Sequence, residues 1–310
     1  MKKTILVVAL LLSSSLVFLA LFPFGQKPDM AFNVAVPNPT YVANHPVVLF
    51  DEGHYNSHTV RSGYAPFAKL MESDGYAIRR HRGALTPQAL RDVSILMIVN
   101  AAGGSNPKLF GINLVPLRKG QRDAPAFSDD EIQTVREWIE NGGSLLLVAD
   151  HHPFGQASAW LASALGVTMH GGFTEVSNQY PGQTDPSAIE FSRDNGLLGE
   201  HPITNGRTPD ETIKRVRSFT GQSLEAPNAV VLLRLPPSAV DYVPPETEPR
   251  PSGSAQAVAF EYGRGRLVVL GEAGMLTAQV SDGRRFGMNI EGLDNRQFAL
   301  SIMHWLSRNL

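Results

Sequence analysis

The stretch SDDEIQTVREWIENGGSLLLVADHH, residues 128–152, decides the fold class. Its first half is helical: Ser128 and Glu131 have capping-box spacing, Ile132, Val135, Trp138 and Ile139 share one face, and Gly142 supplies a stop. Its second half, SLLLVAD, is a continuous apolar run of the kind that forms a strand buried on both faces. A helix leading directly into such a strand is one unit of an alternating α/β chain.

The alternation recurs on either side. Upstream, PVVLF (46–50), YAIRR (76–80) and SILMIV (94–99) read as strands, and YAPFAKLMESDGY (64–76) as a helix stopped at Gly75. Downstream, ASAWLASALG (157–166) reads as a short helix and NAVVLLRL (228–235) as a strand. AQAVAFEY and RLVVLGEAG, joined by GRG, read as a late β-hairpin added to the sheet, and NRQFALSIMHWLSRNL as the closing helix. The expected fold is therefore α/β, a mostly parallel sheet with helices on both faces and a late hairpin addition. Proline- and glycine-rich stretches near 100–127, 170–210 and 236–255 read as excursions from one domain, 45–310, the first of them long enough for a lid.

With 310 residues, 43% hydrophobic and 18% charged, the chain can bury a sizeable core. A formal net charge of −2 without long basic runs gives no electrostatic footprint for nucleic acid. There is no cysteine, which removes disulfides, thiolate metal sites and cysteine nucleophiles together. At the N-terminus, Lys2 and Lys3 precede an uncharged segment, Thr4 to Phe24, of bilayer-spanning length. Residues 1–25 are read as a signal anchor, with a cleaved signal peptide as the alternative, and 26–44 as a proline-bearing linker. The positive-inside rule then puts the domain outside the cytoplasm, anchored in the inner or cytoplasmic membrane, or secreted or periplasmic if the segment is cleaved.

In open α/β sheets ligands bind beyond the carboxyl ends of the strands. There the sequence places Asp51, Glu52, His54 and Asn56 after the first strand, Asn100 after the third, Asp150, His151 and His152 after the fourth, and Glu272 after the late hairpin. Each has an ordinary structural reading as a cap, a turn acceptor or a loop residue. Together they concentrate acids, amides and imidazoles at one rim. Two chemistries use such a set: hydrogen bonding to a polar ligand, with Tyr55, Phe154 or Phe173 as apolar contacts, or a zinc-like divalent metal held by His54, Asp150 and His151 or His152. No H-E-x-x-H and no G-x-S-x-G is present.

VLFDEGHYN, the block FSDDEIQTVREWIENGGSLLLVADHHPFG and YGRGRLVVLGEAGMLT resemble the class I glutamine amidotransferase-like superfamily. More narrowly they resemble its membrane-anchored bacterial branch, related to GIFT domains of gliding and intraflagellar transport proteins and to ThuA-like proteins. The resemblance covers residues 45–170 and 256–310 and implies a flavodoxin-like sheet. Amidotransferases of the class carry a nucleophilic cysteine in a turn after a central strand; the corresponding turn here is Asp150-His151-His152. Glutamine hydrolysis by that route is excluded. The expected function is an extracytoplasmic domain that binds a glycan or peptide at the rim without a cofactor. The alternatives are a metal-dependent hydrolase in the same cleft and a non-catalytic subunit of a membrane-associated assembly.

Overall fold

The computed structural model describes residues 25–103, 124–181, 183–246 and 248–310, together with the short strand pair Lys108–Leu109 and Ile112–Asn113. The expected anchor and most of the expected lid at 100–127 lie outside these residues. Among the described residues no helix is long and apolar enough to cross a membrane.

The chain is a mixed α/β structure built on a large, mostly parallel sheet. Its first half runs β1 (Val47–Asp51), α1 (Ala65–Ser73), β2 (Ala77–His81), β3 (Ile95–Val99), α2 (Asp129–Glu140), β4 (Ser144–Val148) and α3 (Phe154–Ala164). It continues with β5 (Thr168–Met169), β6 (Leu224–Glu225), β7 (Val230–Arg234), β8 (Ala255–Tyr262), β9 (Gly265–Leu270) and α4 (Asn295–Leu306). The nine strands lie in the order β2-β1-β3-β4-β9-β8-β6-β5, with β7 paired to β8. Contacts from β2 through β9 are parallel; those beyond β9 are antiparallel.

The late hairpin joins the sheet as expected, and its place is central: its second strand, β9, lies beside β4 as the fifth parallel strand. The apolar run LVVL explains this: Leu267 to Leu270 are fully buried, as only an interior strand requires.

Alternation along the strands divides the core in two. Phe50, Met97, Val99, Leu146, Val148, Val268 and Leu270 meet α1 and α4 on one face. Leu49, Leu96, Ile98, Leu145, Leu147 and Val269 meet α2 and α3 on the other. The capping box of α2 forms as its spacing predicts, with Ser128 and Glu131 each accepting the other's backbone N–H. Gly142 follows at φ +111°, a conformation that favours glycine.

The excursions form small sheets: Val240–Tyr242 lies between Phe173–Glu175 and Arg250–Pro251 and pairs with both, and Glu190–Ser192 pairs with Arg215–Arg217. The segment expected as a linker is tied down along the domain. Lys27–Pro28 pairs with the strand Ala278–Ser281, Arg296 donates to the Ala35 carbonyl, and Thr40 N–H donates to Asp74 Oδ1 at 2.8 Å.

Candidate functional site

The strand order reverses between β1 and β3, since the chain crosses from β1 to β2 on one side and then back to β3 on the other, and such a switch point leaves a crevice at the carboxyl ends. The loop after β1 fills this crevice and closes it with its own polar groups. Asp51, fully buried, accepts from His54 Nδ1 at 2.9 Å, Gly53 N–H at 3.1 Å and Asn56 Nδ2 at 3.1 Å. Asn56 Nδ2 also donates to the Val99 carbonyl at the end of β3, and Ala102 N–H to the His54 carbonyl. The other imidazole nitrogen, Nε2, lies 2.9 Å from Glu131 Oε1 in the first turn of α2. Two carboxylate partners need a proton on each nitrogen, so His54 is an imidazolium clamped between Asp51 and Glu131.

The electrostatics agree. Burial, the largest single influence, acts to lower the His54 pKa, but hydrogen bonds and charge from Asp51 and Glu131 outweigh it and the net shift is upward. Burial acts to raise that of Glu131, yet donors from Ser128, Leu85 and His54 bring it down to about 2. Glu52 turns the other way, as the residue next to Asp51 along a strand must. It is buried against Arg80 Nη2 at 2.6 Å and accepts the Val60 N–H. Asp51, Glu52, His54 and Asn56 are thus internally satisfied.

The fourth and fifth parallel strands deliver a different arrangement. Asp150 and Glu272 each lie two residues beyond a strand residue that faces α1 and α4, and both approach Tyr64 of that face. Tyr64 is fully buried and donates to the Ala273 carbonyl at 2.8 Å. Asp150 N–H donates to Asn100 Oδ1 at 2.9 Å, which joins the two halves of the rim. Asp150 keeps 13% of its side chain exposed, and its one ionic neighbour among the described residues is His151, whose Nε2 lies 4.0 Å away. Glu272 is 1% exposed and accepts only backbone N–H groups, from Gly274 at 2.5 Å, Met275 at 2.7 Å and Phe219. Burial pushes Asp150 up to about 6, against the opposing pull of His151 and of backbone donors. Burial and then the Asp150 charge push Glu272 up as well.

Aromatic rings flank this pair. His151 stacks on Phe173 at 4.4 Å, and Phe219 lies against Phe286 at 4.0 Å. Thr220, a β-branched residue, is held at φ +58°, a strained conformation of the kind that gathers at functional sites.

The rim residues therefore converge, but as two groups. The expected metal set does not assemble: His54 has both nitrogens committed, and among the described residues no three His, Asp or Glu side chains are grouped to hold an ion. His151 Nδ1 faces the His152 carbonyl at 2.8 Å, and His152 Nδ1 is buried without a partner. Tyr55 is 56% exposed and Phe154, the first residue of α3, is partly buried against the core beneath α2 and α3, so of the three expected apolar contacts Phe173 alone stacks on a rim side chain, His151. His58 is half-buried against the Tyr64 ring, and burial lowers its pKa to about 4. Several contributors had no signal in the sequence. Glu131 shows there only as a capping residue, and Gln222, whose amide bonds the Ala149 and Asp150 carbonyls and the Gly171 N–H, lies in an irregular excursion.

The sequence matches no protein-family model and no curated protein. Among solved structures it is similar to the mmIFT52 N-terminal domain, 16% identical, with a TM-score of 0.58 over 84% of this chain and 97% of that one. It also matches ThuA-like proteins from Parabacteroides merdae (13% identity, TM-score 0.47, 86% and 91% covered) and Bacteroides uniformis (12% identity, TM-score 0.43, 86% and 94% covered). At these identities the likeness is one of fold.

Proposed function

We propose that this chain is a flavodoxin-like, amidotransferase-like domain, held outside the cytoplasm, that binds a polar glycan or peptide group at the carboxyl ends of β4 and β9. The five parallel strands run 2-1-3-4-5 in order of appearance, which is the flavodoxin-like order. The observation that carries the reading is the contrast within the rim. Asp51 and Glu131 share the His54 imidazolium and Glu52 is paired with Arg80, whereas among the described residues Asp150 and Glu272 are buried together with no lysine or arginine partner. Uncompensated buried acids disfavour the fold, and such groups persist where a ligand completes them.

The test is a glycan and peptide array probed with the purified chain, followed by Asp150→Asn and His54→Ala. Asp150→Asn should abolish a genuine hit while the chain stays folded. His54→Ala should act through stability, because its imidazole serves the clamp. Hits indifferent to Asp150→Asn and Glu272→Gln would sink the reading.

A further inference from the structure

The acid pair carries more information than polarity. Several backbone donors surround the two carboxyl groups, Phe173 stacks on the neighbouring His151 and Phe219 on Phe286, and among the described residues no lysine or arginine lies within ion-pair distance of either acid. The Phe286 ring and Glu272 are close: the point where a Cβ on Gly274 would sit is 2.5 Å from Phe286 Cε1 and 2.7 Å from Glu272 Oε1. Carboxylates bordered by aromatic faces form an environment suited to an organic cation, which gains from the acids and from ring quadrupoles together.

A second observation stands apart from the acids. Gln256, 1% exposed at the start of β8, finds no hydrogen-bond partner among the described residues for either its carbonyl oxygen or its amide nitrogen. Leaving such atoms unpaired costs about 1–3 kcal/mol each. The amide lies beside Glu272: Gln256 Nε2 and Glu272 Cβ are each 2.7 Å from the position a Gly221 Cβ would take. A buried acid lacking a cation thus adjoins a buried amide lacking partners.

We propose that Asp150 and Glu272, walled by Phe173, Phe219 and Phe286 and backed by Gln256, form a site for a primary alkylammonium group. This rests on the polar-ligand reading of the rim and narrows its chemistry. Peptide N-termini and amino sugars both carry such a group; neutral sugars and N-acylated chains do not. Binding supplies the missing counter-charge to both acids, and Asp150, the partly exposed member, is the point of entry.

The experiment is titration calorimetry of the full chain with four probes: alanyl-alanine, glucosamine and the N-acetylated form of each. The free amines should bind, the acetylated forms at least roughly tenfold more weakly. Asp150→Asn and Glu272→Gln should each remove amine binding without lowering the melting temperature, Asp150→Asn raising it. Should Glu272→Gln fail to fold, Asp150→Asn, at the more exposed side chain, carries the test alone. Preference between the two amines identifies a peptide or a sugar source. Equal binding of acetylated and free probes would overturn the ammonium assignment and leave a polar-ligand site standing. Silence from both amines, alongside array hits that depend on Asp150, would do the same. Silence in both experiments would remove the site as a whole.

Discussion

The two halves of the rim use the same residue types at the same end of one sheet and reach opposite states. Around β1, Asp51, His54 and Glu131 alternate acid, base and acid within hydrogen-bond distance, and the loop is stitched to β3 by Asn56. Around β4 and β9, Asp150 and Glu272 lie near each other, and among the described residues the His151 imidazole, 4.0 Å from Asp150, is the basic side chain beside them. The side that faces α2 is completed by its own side chains; on the side that faces α1 and α4, Asp150 and Glu272 have no lysine or arginine partner among the described residues. A concentration of acids and histidines at strand ends therefore locates a rim, and only the partner of each group tells which part is structure and which is site.

The largest expected effect tests the completed half. His54→Ala leaves Asp51, fully buried, without its cation and should cost about 3–5 kcal/mol in urea unfolding. A loss under about 1 kcal/mol would mean the clamp is not structural, and the contrast would collapse. The pH dependence has a defined sign. With its pKa raised in the fold, His54 contributes stability that is full below the ordinary histidine range and is lost as pH rises through the folded value. Glu131, depressed to about 2, contributes stability above the ordinary carboxylate range that is lost as pH falls toward 2.

Next in size is an effect of opposite direction in the open half. Asp150 holds its proton to about pH 6, so between the ordinary aspartate range and that value the fold binds more protons than the unfolded chain and stability falls as pH climbs. Asp150→Asn should therefore raise stability at pH 7 by about 2 kcal/mol while removing ligand binding, as a group kept for function does. A destabilised Asp150→Asn would move this residue into the structural half.

A smaller effect sharpens the comparison. Ser128→Ala should cost about 1 kcal/mol through the lost cap. It should also weaken the coupling between His54 and Glu131 in a double-mutant cycle, because Ser128 Oγ donates to Glu131 Oε2 at 2.8 Å and helps fix that carboxylate. His151→Ala, at a half-exposed ring, should change stability by less than about 0.5 kcal/mol, so that any loss of binding reports on its stack with Phe173.

Much of the fold is readable in the sequence because it is local. The Ser128–Glu131 box, the Gly75 and Gly142 stops and the apolar runs of β1, β3 and β4 each follow from short-range spacing. Even the divergence of Asp51 from Glu52 is implicit in strand alternation, which sends neighbours to opposite faces. What stays hidden is non-local. No periodicity shows that Glu131 reaches His54 across 77 positions, or that β9 inserts beside β4 while β8 turns away from it. The residues around Glu272 are the hardest to foresee, since Phe219, Gly221 and Gln222 lie in a stretch with no repeating pattern, and their placement is set by backbone bonds such as Gln222 N–H to the Gly271 carbonyl.

The short strand Lys27–Pro28 carries a consequence for reach. Pro28 pairs with Gln279, Gln279 pairs with Phe286, and Phe286 touches Gly274, the neighbour that donates to Glu272. Two strand spacings are about 10 Å, and the three residues from Gly25 to Pro28 span at most about 10 Å more. Gly25 is thus held within roughly 20 Å of the hairpin edge that borders the acid pair, so the chain leaves the described domain on the side of the rim.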